Sequence, residues 1–184
     1  IYIIADEPYR ELVYDGVEAP FIPTVYANTI VCYSYSKSLS LPGERIGYVC
    51  VPDQVEDSQQ VFAAVAGAAR VLGHVCAPSL QQRVVAACTD LRPDLEAYDR
   101  NRNALYDALI SYGYECVKPN GAFYMFVKAP GGSSKAFSDK AKEKNLLLVP
   151  GDDFGCPEFF RICTCVSYDM IQRSLPVFKE LIED

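Results

Sequence analysis

The sequence has no tryptophan, two methionines and a single histidine, His74. A lone histidine without a ligand cluster gives no reason to expect a metal centre. No run of about 18 apolar residues occurs, and no basic-then-apolar leader opens the chain, so neither a membrane span nor a signal peptide is expected. Positive charge is in the minority: 17 Lys and Arg stand against 24 Asp and Glu, a net charge of −7. Phosphate backbones require a clustered basic face, so a nucleic-acid partner is not expected. Cysteine is plentiful, at eight residues, but no CxxC pair is present. Most cysteines sit in apolar runs, as in Val31-Cys32 and Val49-Cys50-Val51. The expectation is small buried thiols in a reducing cytoplasm rather than a disulfide scaffold. Cys163 and Cys165 alternate as strand residues do.

What is present is a chain of 184 residues, half of them apolar, enough for one globular domain or two small ones. It begins inside an apolar run, "IYIIADEPY", which reads as a piece of a longer protein. Residues 1–5, 29–34 and 46–51 have the pattern of buried strands. Residues 54–71 have helical spacing. From Ser79 a second helical run, with Leu80, Val84, Cys88, Leu91, Leu95, Leu105 and Leu109 at a period near 3.6, extends for about 30 residues. Pro93 should kink or split it, and a boundary is placed there: residues 1–92 and residues 93–184. The second part reads as a small α+β layer. Strands are expected at 114–118, 122–127, 146–149 and 159–166, with helices at 135–144 and 169–182. Pro176 is awkward within the last helix.

The chemistry gathers in the first part. Asp6 lies at the C-terminal end of one strand, where open α/β sheets carry ligand sites, and Tyr9 follows three residues on. Ser34, Ser36 and Lys37 follow the next strand, and Arg45 stands eight residues after the lysine. Each alone has a bland reading: a turn carboxylate, loop hydroxyls, a solvated lysine, an arginine paired with Glu44. Together they supply an amine that can condense with an aldehyde, a carboxylate for a pyridine nitrogen, and an arginine fork with hydroxyls for a phosphate. That set suits a phosphorylated pyridine aldehyde.

The motifs "ADEPY", "SYSKSLSLPGERIGY", "NGAFYMF", "LLLVPGDDFG" and "FFRICTCVS", in this order and spacing, resemble the class I and II aminotransferases. These are the fold-type I enzymes dependent on pyridoxal 5′-phosphate, and the resemblance is to their C-terminal portion. It implies an α/β fold: residues 1–92 as the C-terminal part of the cofactor-binding large domain, and 93–184 as a small α+β domain. It implies that Lys37 is the Schiff-base lysine and proton shuttle, Asp6 the pyridinium partner, and Tyr9 the phenol on the cofactor's 3′-oxygen. Ser34 and Arg45 match phosphate ligands, with Ser36 beside them. Arg161 matches the arginine that clamps a substrate α-carboxylate, and Tyr124 lines the substrate end. The resemblance further implies amino acid and 2-oxo acid substrates and a cytoplasmic homodimer in the full-length parent. The phosphate-cradling turn, the ring-stacking aromatic and the N-terminal arm would lie upstream of Ile1. The 184 residues alone are therefore expected to hold cofactor poorly and turn over little. Two alternatives share the scaffold: a C–S β-lyase, and an aminotransferase-like sensor domain of a transcriptional regulator.

Overall fold

The computed structural model describes residues 1–183. The chain divides into two compact units, Ile1–Pro93 and Asp94–Asp184.

The first unit is built on a three-stranded sheet in the order β1-β2-β3. Strand β1 (Ile3–Asp6) precedes the short helix α1 (Ile22–Val25) and strand β2 (Thr29–Ser34). A single turn of helix, α2 (Tyr35–Ser38), leads through a loop to β3 (Gly47–Cys50), and helices α3 (Ser58–Val71) and α4 (Ser79–Ala87) follow. β1 and β2 run parallel, with Asp6 opposite Cys32. β3 runs antiparallel to β2, with Gly47 opposite Ser34. The third apolar run is therefore an antiparallel neighbour. Gly47 permits that pairing, because a Cβ there would lie 2.3 Å from the Tyr33 carbonyl oxygen. Buried Ile30, Val31, Ile46, Leu12, Tyr14, Val55 and Val85 form the interior. One expectation is corrected here. The apolar run of β1 predicts a buried strand, yet Ile4 is 70% exposed, since β1 is the edge of the sheet. Helix α3 buries none of its residues, and Phe62 on it is exposed.

The long helical run is two helices. α4 ends at Ala87, and α5 (Leu95–Tyr112) starts afresh after Pro93. Proline lacks the donor that continuous helix needs. Asp94 then caps α5, its side chain accepting a hydrogen bond from Ala97 N–H at 3.0 Å, with Glu96 in the first turn. Both acidic groups complement the exposed N–H groups and dipole of a helix start. Gly113, at φ +96°, closes α5 in the left-handed conformation.

The second unit continues with β4 (Tyr124–Lys128), α6 (Ser134–Glu143), β5 (Val149–Pro150), β6 (Phe159–Cys163) and α7 (Tyr168–Glu183). Its antiparallel sheet has the order β4-β6-β5. The residues of β4 and β6 alternate: Met125, Val127, Phe160 and Ile162 face a core shared with Leu105 and Leu109 of α5, Phe137 of α6, and Ile171, Phe178 and Leu181 of α7. Phe160 is wholly buried and stacks on Phe137 with ring centroids 4.8 Å apart. The expected strand at 114–118 is reduced to one bridge, Cys116 to Val127, and the strand at 146–149 shrinks to the two residues of β5. Pro176 is tolerated inside α7 at an exposed position. The cysteines are not core residues either: Cys76, Cys156 and Cys165 are exposed and the other five half-buried. No described helix is long and apolar enough to cross a membrane.

Phe160→Ala removes a ring from a closed core. It should lower the unfolding free energy by about 3–5 kcal/mol, read as a lower urea midpoint at unchanged slope.

Candidate active site

Parallel pairing makes β1 and β2 end at the same edge, and a bond from Glu7 N–H to the Cys32 carbonyl (2.9 Å) carries the pairing past Asp6. Asp6 is thus held at the edge from which Ser34 and Lys37 emerge. The chain after Asp6 folds into a turn closed by Leu12 N–H on the Tyr9 carbonyl at 2.9 Å. That turn brings the Tyr9 ring to the lysine: Lys37 Nζ lies 5.5 Å from its centroid. A cation at that distance is attracted to the ring face. Asp6 also acts on its neighbour. Burial pushes the Cys32 thiol up, and the Asp6 carboxylate adds to the shift.

Ser34 is the N-cap of α2. Its Oγ accepts a hydrogen bond from Ser36 N–H at 3.2 Å and donates to Ser36 Oγ at 2.8 Å. The segment predicted as a serine-rich loop is therefore a capped helical turn, with Lys37 in its last residues. Arg45 reaches the same edge through the backbone: Tyr35 N–H donates to the Ile46 carbonyl at 3.2 Å, and Gly47 faces Ser34. Its guanidinium turns onto its own loop, donating from Nη1 to the Pro42 carbonyl at 2.7 Å, and its φ is +52°. The structure thus brings Asp6, Tyr9, Ser34, Ser36 and Lys37 to one edge and places the backbone of Arg45 beside them. Sequence reasoning did not single out Gly47, whose signal appears only once β3 is laid on β2.

Below this edge, Tyr33, Tyr35 and Tyr48 form an aromatic cluster. Tyr33 stacks on Tyr48 at 5.2 Å and meets Tyr35 edge-on at 5.2 Å. The Tyr33 hydroxyl donates to Ser38 Oγ at 2.8 Å, tying β2 to the turn that bears Lys37. Burial pushes the Tyr33 phenol up to about 12.

Arg161 and Tyr124 belong to the second unit. They lie on the outward face of its sheet, opposite the core, where Phe126 pairs with Arg161 and Tyr124 with Cys163. The guanidinium sits between two aromatic rings, 4.3 Å from the Tyr124 centroid and 4.4 Å from that of Phe154. Phe154 comes from a short 3₁₀ turn, Asp152–Phe154, and Phe126 braces it edge-on at 5.7 Å. Two rings at that distance attract a guanidinium by cation–π interaction, and a guanidinium fork is the group that pairs two N–H donors with a carboxylate. Tyr124 was expected here; the stacking role of Phe154 was not, because it depends on a turn distant in sequence.

Residues 1–177 match the family model described as aminotransferase class I and II, and the chain belongs to that family. It is 29% identical over its whole length to aromatic-amino-acid aminotransferase 2 of Thermococcus litoralis, and 30% identical to an aspartate aminotransferase of Bacillus subtilis. In each case it spans 49% of the relative's length. A crystal structure of an amino transferase from Eubacterium rectale superposes on 99% of the chain with a TM-score of 0.94 at 56% identity, the chain covering 46% of that protein. The fold is accordingly that of fold-type I enzymes, and the chain spans about half the length of the curated relatives it matches.

The folded chain keeps the Tyr33 proton up to about pH 12, whereas an unperturbed tyrosine loses it near 10. The unfolded state therefore binds fewer protons in that window, and stability falls as pH rises through it. The contribution is intact below about pH 10. Urea midpoints measured from pH 9 upward should decline more steeply for the native sequence than for Tyr33→Phe.

Proposed function

We propose that this chain is the catalytic-lysine half of a pyridoxal 5′-phosphate-dependent aminotransferase, which exchanges an amino group between an amino acid and a 2-oxo acid. The observation that carries the reading is the placement of Lys37 over Tyr9 at the strand edge that ends in Asp6. The donor set fits the cofactor group by group: a carboxylate, a phenol, an amine, two mutually bonded hydroxyls and a guanidinium on the adjoining loop. When bound, pyridoxal 5′-phosphate supplies an aldehyde and a pyridinium ring that draws electrons from the substrate α-carbon.

Each residue then has a defined task. Asp6 would keep the ring nitrogen protonated, its carboxylate accepting a charge-assisted hydrogen bond from that N–H. Tyr9 donates to the ring oxygen. Ser34 and Ser36, with Arg45 swung from the Pro42 carbonyl, take the phosphate. Lys37 would be the residue that holds the group's aldehyde end, and its Nζ would carry a proton to and from the substrate α-carbon. Arg161 holds the α-carboxylate in its fork, with Tyr124 and Phe154 keeping its plane fixed. On this reading, Ile1–Pro93 is part of the cofactor-binding domain and Asp94–Asp184 the small domain. The full-length protein is a cytoplasmic homodimer of amino-acid metabolism, and the 184 residues alone turn over little. The names of the relatives favour amino transfer over β-elimination or a sensor role.

Borohydride reduction of the full-length protein loaded with pyridoxal 5′-phosphate should leave the pyridoxyl group on the peptide carrying Lys37. Lys37→Ala should lose that label, and a label elsewhere would overturn the assignment. Arg161→Ala should raise KM for the amino acid on the order of 10²-fold, the loss of a bidentate charged pair, while the Lys37 label persists. An unchanged KM would remove Arg161 from substrate binding.

A further inference from the structure

Beyond β6, the outward face that carries Arg161 continues with two thiols. Cys163 ends the strand and Cys165 follows two residues later, with their sulfurs 2.8 Å apart. That separation is inside ordinary sulfur–sulfur packing distance. Cys165 is exposed and Cys163 half-buried, so the pair is open to a reagent from solvent. We propose that Cys163 and Cys165 form a redox modification site, a dithiol that closes to an intramolecular disulfide on meeting a small-molecule disulfide of the glutathione type.

The backbone between the thiols is held from two sides. Thr164 is buried, and both its N–H and its hydroxyl donate to the Phe123 carbonyl, at 2.8 and 3.2 Å. On the other side, buried Asn101 of α5 donates through Nδ2 to the carbonyls of Thr164 (3.0 Å) and Val166 (2.7 Å). A backbone pinned at residues 164 and 166 keeps the two cysteines' Cα–Cβ bonds on one face, so only χ1 rotation separates the sulfurs. The two thiols are thus presented to each other at high effective concentration, the factor that favours ring closure over a lasting mixed disulfide. Geometry allows the bond. At about 3.3 Å of rise per residue, an extended i, i+2 pair has Cα atoms about 6.6 Å apart, near the upper end of the disulfide range of about 4.4–6.8 Å, so a slight pucker at Thr164 suffices.

The chemistry balances in two exchanges. The Cys165 thiolate attacks one sulfur of oxidised glutathione; a Cys165–glutathione bond forms, and one glutathione thiolate leaves and takes up a proton. The Cys163 thiol gives its proton to solvent and attacks the Cys165 sulfur, and the second glutathione leaves as a thiolate that is protonated in turn. Two protein thiols are oxidised to one disulfide, and one small disulfide is reduced to two thiols. No cofactor or amino-acid substrate takes part, so the proposal stands apart from the aminotransferase reading.

The test incubates the native full-length protein with oxidised glutathione, quenches with acid, alkylates and maps peptides by mass spectrometry. The expected result is a peptide containing both cysteines that has lost two hydrogens, takes up no alkyl group and regains both thiols with dithiothreitol. Cys163→Ser and Cys165→Ser should each instead hold one glutathione on the remaining cysteine. Two alkyl groups on the native-sequence peptide, a glutathione retained there, or a bond from either residue to a different cysteine would overturn the proposal.

Discussion

Two strands that run in the same direction end at the same edge, and the first unit depends on that constraint. β1 delivers a carboxylate at Asp6; β2 delivers hydroxyls and an amine at Ser34, Ser36 and Lys37. Had β1 paired antiparallel to β2, Asp6 would lie at the far end of the sheet from Lys37, a β-strand's length away. The bond from Glu7 to Cys32 extends the parallel pairing one step beyond the last side chain that matters. The Tyr9 turn then folds back over the lysine. Gly47 adds the third contribution, since only a residue without Cβ lets β3 approach the Tyr33 carbonyl closely enough to put the Arg45 loop beside Ser34.

The second unit solves a different problem, that of holding a cation still on an open sheet face. A surface arginine gains little from a single exposed ion pair and loses side-chain freedom in making it. Arg161 instead lies against two rings, Tyr124 from the neighbouring strand and Phe154 from the turn before β6. The opposite face of the same strands supplies the rigidity, because Phe160 and Ile162 alternate with Arg161 and are locked into the core.

Local signals were legible and long-range ones were not. The apolar run at 29–34 coincides with β2, and the proline at 93 with the break between α4 and α5, because each depends on neighbouring residues alone. Asp6, Tyr9, Ser34, Ser36 and Lys37 meet at one edge because two strand ends and the turns after them account for their positions, whereas the Arg45 guanidinium turns onto its own loop. The strand expected at 114–118 has suitable residues but only one bridging partner, so propensity without pairing did not make it. The run at 1–5 looked buried because edge and central strands share composition; the difference lies in what flanks them. The Phe154–Arg161 stack and the Gly47 approach follow from registers between distant segments, which a single sequence does not display. The cysteines misled for a related reason: an apolar neighbourhood in sequence suggested a core, while the alternation of strand faces turned Cys163 and Cys165 outward.

That alternation also explains why the two units differ in how they are held together. In the second, both sides of the alternating pattern are used, one for a closed core of Leu105, Met125, Phe160, Phe178 and their neighbours, the other for Arg161 and its rings. In the first, the sheet edge and α3 leave Ile4, Phe62, Val71 and Leu72 in solvent. Burying one such side chain is worth about 1.5–3 kcal/mol, while a whole domain is stable by only about 5–15 kcal/mol. Covering those side chains would stabilise the strands that carry Asp6 and Lys37 without touching either residue.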